Sequence, residues 1–232
     1  MRINVLGPLE VVVDGDRLTL GGPQQRLVLA TLISRADAPV PTDSLINALW
    51  RDEDPPTRAR KTVQVYVANL RKELGGEEAP IEPAAGGYVL RTGAATVDAV
   101  DFEATVSATG ALDPDARQTV ERLSVALALW NGPPYADLED AAALTPEITR
   151  LNELRLTALE RRLEASLTLG HHRDVLSELD TLTTDHPYRE QFTALQMLAL
   201  YRSGRQAEAL RAYQRTRLVL GEALGIDPSP PV

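Results

Sequence analysis

One stretch of the chain, residues 58–72, carries side chains suited to binding a polyanion. It holds five cations and no carboxylate, in a chain of net charge −9, and these cations are Arg58, Arg60, Lys61, Arg71 and Lys72. Between them lie Val65 and Asn69. An aliphatic side chain suits a thymine methyl group, and an Asn amide can pair with adenine. The stretch therefore indicates contact with nucleic acid, although a solvated helix face would carry charges as well.

The same stretch has the spacing of an amphipathic helix. Apolar residues recur at intervals of four, three and four positions, and form one stripe: Val63, Val67, Leu70 and Leu74. Asp54 is predicted to cap the helix, with Pro55 at its first position and Gly75-Gly76 at its end. The opposite face then carries Arg58, Lys61, Val65 and Lys72, with Thr62, Asn69 and Arg71 at its flanks.

Alternating apolar residues in the first twenty positions predict a small sheet that precedes this helix. They are Ile3 and Val5, then Leu9, Val11 and Val13, then Leu18 and Leu20. The Asp14-Gly15 pair between the second and third runs is a strong signal for a hairpin. We therefore expect three short antiparallel strands.

The elements that follow complete a winged helix-turn-helix pattern. A largely apolar helix is predicted from Pro23 to about Ser34, and Thr42 or Asp43 is predicted to cap a short second helix. A brief turn then leads into the cationic helix, which gives a helix-turn-helix pattern. Residues 81–91 predict a hairpin with a glycine turn, which in this position is a wing.

From residue 98 onward the pattern changes to continuous helix. Helices are predicted over residues 98–109, 114–131, 141–169, 172–184, 188–203 and 206–224. The pattern G-x3-D-V-L-x2-L beginning at Gly170 recurs as G-x3-E-A-L-x2-Y beginning at Gly204, and the offset of 34 residues is the tetratricopeptide period. Because only two units match, two amphipathic helix pairs in a plain helical bundle remain the alternative to tetratricopeptide repeats.

Composition and motifs argue against several functional classes. The chain has no cysteine, which excludes disulfides and thiolate metal sites and fits a reducing cytosol. His171, His172 and His186 lack further ligands at suitable spacing, so no metal site is predicted. No phosphate-binding loop or nucleophile elbow is present, so neither an enzyme nor a cofactor is predicted. No apolar run has the length of a signal peptide or a membrane span.

These blocks, in this order, resemble the SARP family, the antibiotic regulatory protein type of bacterial activator. The matching segments are V-L-G-P-L-E, P-Q-Q-R-L-V-L-A-T-L, L-I-N-A-L-W, R-K-T-V-Q-V-Y-V-A-N-L-R-K-E-L-G, A-L-A-L-W-N-G-P-P-Y-A-D-L, H-P-Y-R-E-Q-F and L-G-I-D-P-S-P. The resemblance covers nearly the full length. It implies an α+β OmpR-like winged helix-turn-helix domain over residues 1–97, followed by an all-α tetratricopeptide-like bacterial transcriptional activation domain over residues 98–232.

The resemblance also implies roles for individual residues. Val65 and Asn69 would face base edges in the major groove, and Thr62, Tyr66 and Arg71 would contact phosphates. Arg58, Lys61 and Lys72 are assigned to backbone contact, which positions the protein without reading sequence. In such domains the loop before the recognition helix faces RNA polymerase, which makes Asp52, Glu53 and Asp54 candidates for that contact. A solvated turn with an N-cap explains the same three acids equally well.

Two features depart from the family pattern. The wing of such domains often carries an arginine for the minor groove, but residues 83–87 hold none, and the nearest cation is Arg91 at the strand end. Minor-groove contact by the wing is therefore not carried over, although Arg91 stays among the candidate DNA-binding residues. Family members also continue past the L-G-I-D-P block with another helix, so a chain ending at Val232 is expected to be truncated or the front of a larger regulator.

The sequence thus predicts a cytoplasmic, nucleoid-associated transcriptional activator without a cofactor. By resemblance, it binds double-stranded promoter DNA at direct repeats near the −35 region as a homodimer, recruits RNA polymerase and its sigma factor, and controls antibiotic biosynthesis genes. Residues 98–232 carry a net charge of −8 against −1 for residues 1–97, so the second domain is expected to meet protein. The alternative is a protein-interaction adaptor that uses the tetratricopeptide-like groove, with weak or no DNA binding.

Overall fold

The computed structural model describes residues 1–51, 54–110, 115–138 and 140–229. The chain forms two compact units. Unit 1 comprises Met1–Ser107 with Ala126–Arg155, and unit 2 comprises Ala108–Val125 with Leu156–Val232. The units thus divide differently from the predicted domains 1–97 and 98–232, because a segment from the middle of the chain packs with the N-terminal elements.

Unit 1 contains two small sheets. Their strands, in chain order, are β1 (Arg2–Asn4), β2 (Glu10–Val13), β3 (Asp16–Arg17), β4 (Val40–Pro41), β5 (Ile81–Ala84), β6 (Gly87–Leu90) and β7 (Thr96–Val97). The first sheet has the order β3-β2-β1-β7, and the second has the order β4-β6-β5. Three antiparallel N-terminal strands are present as predicted, but β3 comprises Asp16–Arg17 and ends before Leu18 and Leu20, from which the third strand was predicted. The parallel strand β7 beside β1 was not predicted, since two residues show no alternation.

The helix-turn-helix of unit 1 is formed by α1 (Pro23–Ile33), α2 (Thr42–Leu49) and α3 (Ala59–Glu73). The wing is the β5–β6 hairpin, as predicted, and β6 also pairs with β4. That pairing requires a glycine at position 87, because a Cβ atom there would lie 1.9 Å from the carbonyl oxygen of Val40. The wing is therefore held against the start of α2.

The predicted N-caps of α2 and α3 are wrong. The N-cap of α3 is Arg58, not Asp54, and its helical residues begin at Ala59. Two prolines in succession explain the shift, because Pro56 disfavours the helical conformation for the residue before it, Pro55. The N-cap of α2 is Pro41, not Thr42 or Asp43. Thr42 is the first residue of the helix, and its hydroxyl donates instead to the carbonyl oxygen of Gly86 at 3.1 Å.

A loop from the middle of the chain completes unit 1. The backbone N–H groups of Asn131 and Tyr135 donate to the carbonyl oxygens of Leu6 and Val5, at 2.7 and 3.0 Å. The carboxylate of Asp137 accepts from the N–H of Leu9 at 2.6 Å. We call residues 131–137 the clasp, because these bonds fasten it along the connection between β1 and β2.

Two charged side chains extend this attachment. Arg26 on α1 donates through Nε to Asp137 of the clasp at 2.9 Å. Asp98, the first residue of α4 (Asp98–Ala108), is buried and accepts N–H groups from Val5, Leu6 and Ala99 at 2.7 to 3.0 Å. Burial raises the pKa of the Asp98 carboxyl above its ordinary value, although these N–H bonds oppose the rise.

The remaining helices are α5 (Ala116–Leu127), α6 (Thr145–Thr168), α7 (Leu176–Asp185), α8 (Glu190–Arg202) and α9 (Gln206–Leu224). They confirm the predicted helices, with ends that differ by at most four residues in the described part of the chain. Residue 114, the predicted start of α5, lies outside the described residues. No helix among the described residues is both long and apolar enough to cross a membrane.

Unit 2 repeats its turn geometry after 34 residues, as the sequence period predicts. The N–H of His171 donates to the carbonyl oxygen of Ser166 at 3.1 Å, and that of Arg205 donates to Leu200 at 2.9 Å. Val175 and its counterpart Ala209 are both buried. The core of this unit is apolar and contiguous, and includes Leu163, Leu167, Leu179, Leu182, Phe192 and Leu195.

Candidate nucleic-acid interface

The helix α3 buries the predicted stripe and exposes the opposite face. Val63, Val67 and Leu70 are buried within α3, and Leu74 is buried at its C-cap. The buried side packs against α1 and α2. Gly75 and Gly76 both adopt positive φ angles where the helix ends, as predicted. The packing of three helices therefore fixes the direction in which the cationic face points.

The structure places the predicted α3 residues on or beside that exposed face. Five of them are exposed: Arg58, Lys61, Val65, Asn69 and Lys72. Three are half-buried at its edges: Thr62, Tyr66 and Arg71. Val65 is 48% exposed. An exposed valine side chain forms no hydrogen bonds with water. Its methyl groups are available for apolar contact with a ligand that binds to this face of the helix, such as a thymine methyl group.

Among the residues that the structure describes, most of the cations on α3 are not neutralised by neighbouring acids. Arg60 donates to Asp43 at 2.6 Å, and both of these side chains are largely exposed. Arg58, Lys61, Arg71 and Lys72 form no ion pair within the described residues. Their charges remain available to a polyanion, in a protein whose overall charge is negative.

Two glutamines of α1, which the sequence reasoning missed, contact this face. The hydroxyl of Tyr66 donates to Oε1 of Gln24 at 2.5 Å. Gln25 is buried, accepts a long contact from Nδ2 of Asn69 at 3.5 Å, and donates to Glu73 at 2.8 Å. The sequence did contain a signal for this contact, because two glutamines stand near the start of a helix that is otherwise largely apolar, P-Q-Q-R-L-V-L-A-T-L.

The wing residue Arg91 is already engaged within the protein. Its Nε donates to Glu82 at 3.1 Å, and its Nη1 contacts the carbonyl oxygen of Asp37 at 3.4 Å. Asp37 in turn accepts from the hydroxyl and the N–H of Thr92 at 2.5 and 3.1 Å, and these bonds lower the pKa of its carboxyl. Arg91 follows the last residue of β6, so it lies at the base of the wing rather than at its tip.

The structure says little about the predicted polymerase contact and about metal binding. Asp54 is exposed, whereas Asp52 and Glu53, the other two candidates for polymerase contact, lie outside the described residues. Among the residues that the structure describes, no group of three or more His, Cys, Asp or Glu side chains could hold a metal ion.

Comparison with protein families assigns both halves of the chain. Residues 97–232 match the bacterial transcriptional activator domain, and residues 16–90 match the C-terminal domain of transcriptional regulatory proteins. The first range includes the clasp, although the clasp packs within unit 1. Family boundaries and packing units therefore differ in this chain.

Several regulators are similar over the whole chain. EmbR of Mycobacterium tuberculosis is 41% identical over 238 residues, covering 99% of this chain and 61% of EmbR. AfsR of Streptomyces griseus is 40% identical over 233 residues, covering 99% of this chain but 23% of AfsR. DnrI of Streptomyces peucetius is 34% identical over 244 residues, covering 99% of this chain and 88% of DnrI.

The fold is also that of a solved regulator. The structure of M. tuberculosis EmbR in complex with a low-affinity phosphopeptide superposes with a TM-score of 0.93 at 38% identity, and the match covers 99% of this chain and 62% of that one. The chain thus spans roughly three fifths of EmbR and a quarter of AfsR. An OmpR-like winged helix followed by an activator domain, with AfsR, EmbR and DnrI as relatives, shows that this chain belongs to the SARP family of transcriptional regulators.

Proposed function

We propose that this chain is a transcriptional activator that binds promoter DNA through the exposed face of α3. The observation that carries the proposal is the set of four cations on this helix without an ion pair among the described residues: Arg58, Lys61, Arg71 and Lys72. In the major groove, Val65 and Asn69 would contact bases while the cations contact phosphates. Thr62 and Tyr66 at the edges would add phosphate contacts.

Further steps of the proposal rest on the family. Two protomers bind side by side on direct repeats near the −35 region and recruit RNA polymerase with its sigma factor, without chemistry by this chain. Relatives named as regulatory proteins in Streptomyces support control of secondary metabolite genes, including those for antibiotics. The proposal places the protein in the cytoplasm, on the nucleoid, where promoter DNA lies.

Substitution on α3 tests the proposal. Replacing Lys61, Asn69 and Arg71 with alanine should abolish specific binding in a mobility-shift assay while the unfolding temperature stays the same. A matched control replaces Arg211, Gln214 and Arg215, which are two cations and an amide on the exposed side of α9. The control should bind normally, since it makes the same change in charge elsewhere. Undiminished binding by the α3 variant would contradict the assignment.

A second candidate, a protein-interaction adaptor, is favoured by one observation in unit 2. A groove of about 480 Å³ crosses α7, α8 and α9, and its lining includes three buried polar side chains, Thr193, Gln196 and Thr216. Such a groove could take a peptide from a partner protein. Salt discriminates the two functions, because DNA binding weakens by about one unit of log Kd per decade of salt for each phosphate contacted, whereas groove binding does not follow this rule.

A further inference from the structure

Gln25 occupies an unusual position for a glutamine at the start of a helix. Its side chain is buried, with 6% of the residue exposed, between α1 and α3. A Cβ atom on Gly21 would lie 2.8 Å from its Nε2, so the amide is packed tightly against the preceding turn. Both polar atoms of this amide have partners on α3, namely Glu73 and Asn69. Gln25 is thus fixed in place and directed at the exposed face of α3.

The chemistry of these three side chains sets one direction for the hydrogen bonds. A carboxylate only accepts, so Glu73 requires the Nε2 group of Gln25, which it contacts at 2.8 Å. The oxygen of Gln25 must then face the other way, toward Asn69, and an oxygen there requires a donor. Nδ2 of Asn69 meets that requirement at 3.5 Å. With the opposite orientation of the Asn69 amide, two carbonyl oxygens would face each other.

This order leaves Asn69 with a defined set of free groups. One N–H of its Nδ2 is directed at Gln25, while its Oδ1 and its second N–H remain at an exposed position. One acceptor and one donor side by side are what the major-groove edge of adenine requires, since adenine offers the N6 amino group and the N7 acceptor. Guanine offers two acceptors, O6 and N7, and would place its O6 against Oδ1.

We propose that Gln25 and Glu73 are positioning residues that lock the Asn69 amide in the orientation that reads adenine and rejects guanine. This inference rests on the proposed function, because it assumes that α3 enters the major groove. It extends that function by naming the residues that orient Asn69 and thereby determine which base Asn69 contacts. Neither Gln25 nor Glu73 needs to touch DNA for this effect.

Three variants test whether Gln25 and Glu73 hold the Asn69 amide in one orientation, an arrangement that we call the lock. Gln25→Met keeps the buried volume but removes both hydrogen bonds, so the Asn69 amide is free to rotate. Glu73→Gln lets the amide of Gln25 turn either way. The combined variant Gln25→Glu with Glu73→Gln exchanges the acid and the amide, conserves charge, and leaves a carboxylate at position 25 that still accepts from Asn69. The exchanged pair should therefore restore the lock.

The readout is the ratio of affinities for adenine and guanine at the position that Asn69 reads, measured with duplexes selected by the unchanged protein. A good bidentate pair is worth about 1–3 kcal/mol of discrimination, which corresponds to roughly fivefold to 150-fold. We expect Gln25→Met to lower the ratio about tenfold, Glu73→Gln to lower it less, and the exchanged pair to restore it. In an Asn69→Ala background, Gln25→Met should change the ratio no further.

The outcomes separate this inference from the proposed function. If the unchanged protein selects no sequence, the proposed function fails and the lock fails with it. If it selects a sequence but Gln25→Met keeps the same ratio, the lock is wrong and the proposed function stands. A merely structural role of Gln25 would lower the affinity for all duplexes equally and leave the ratio unchanged, which also overturns the inference.

Discussion

The two units of this protein differ in the interactions that stabilise each of them internally. In unit 1, residues far apart in sequence are joined by backbone and carboxylate hydrogen bonds, as between Asp98 and Val5 or between the clasp and Leu6. In unit 2, successive helices pack leucines against one another, and the turn geometry repeats after 34 residues. Unit 1 has an apolar core as well, which includes Ile3, Leu29 and Leu70, so its long-range polar bonds add to apolar burial, whereas the repeat of unit 2 is built mainly on contacts between successive helices.

The difference bears on the proposed DNA binding because α3 belongs to unit 1. Three consecutive residues of α1 contact both α3 and the clasp. Gln24 and Gln25 contact α3, and Arg26 contacts Asp137 of the clasp. The clasp lies in the range that matches the activator domain family. A family boundary near residue 97 therefore separates segments that the structure packs together, and α1 contacts residues on both sides of that boundary.

The largest expected effect is in unit 2. Phe192→Ala removes a fully buried ring from the apolar core and should cost about 3–5 kcal/mol. Both tryptophans, Trp50 and Trp130, lie in unit 1. We expect far-ultraviolet circular dichroism to show earlier unfolding, while the transition followed by tryptophan fluorescence stays in place. A shift of both transitions by the same amount would show that the two units unfold together.

The next largest effect is in unit 1. Asp98→Ala leaves the N–H groups of Val5, Leu6 and Ala99 without their acceptor, which should cost about 2–4 kcal/mol. Here the fluorescence transition should move to lower denaturant concentration. An unchanged fluorescence midpoint would mean that water replaces the carboxylate without loss, and that the polar attachments do not hold unit 1 together.

A smaller effect is expected at the connection between α1 and the clasp. Arg26→Met keeps most of the aliphatic stem and removes the hydrogen bonds to Asp137 and to the carbonyl oxygen of Leu9. The ion pair is partly buried, so we expect a loss of about 1–2 kcal/mol from unit 1. Chemical denaturation followed by tryptophan fluorescence measures it. Arg17→Met, which removes a more exposed ion pair with Glu10, serves as the control.

The smallest effect concerns Asp37 beside the wing. Its carboxyl pKa is lowered in the folded state by Thr92, so its contribution is present above the ordinary carboxyl pKa and is lost as the pH falls through the lowered value. Asp37 has a φ of 62°, which asparagine also tolerates. Asp37→Asn should therefore reduce the loss of stability as the pH falls below the ordinary carboxyl pKa, by less than about 1 kcal/mol. A steeper pH dependence in the variant would contradict the assignment.

Sequence reasoning succeeded where structure is local and periodic. The apolar stripe of α3, the β5–β6 hairpin and the 34-residue repeat all follow from spacing within one element or its neighbour. It failed where a distant partner decides, as at Thr42, whose hydroxyl donates to Gly86 rather than capping α2. The clasp was not predicted either, because backbone bonds between residues more than a hundred positions apart leave no periodic signal.

The candidate interface shows the same limit. Composition alone indicated the cationic face of α3, because charges on one helix can be read from its sequence. Gln24 and Gln25 lie more than forty residues away from their partners on α3, so only the folded structure reveals them. The DNA-binding residues remain predictions, and the structure supplies the contacts of Gln24 and Gln25 with α3.

The most direct test of the central claim is selection of bound sequences from a random duplex library, at low and at near-physiological salt. The account predicts recovery of a direct repeat spaced by about one helical turn, and the loss of that repeat when Lys61, Asn69 and Arg71 are replaced by alanine. Recovery of no sequence at either salt concentration would contradict it, and so would the same repeat recovered by the α3 variant.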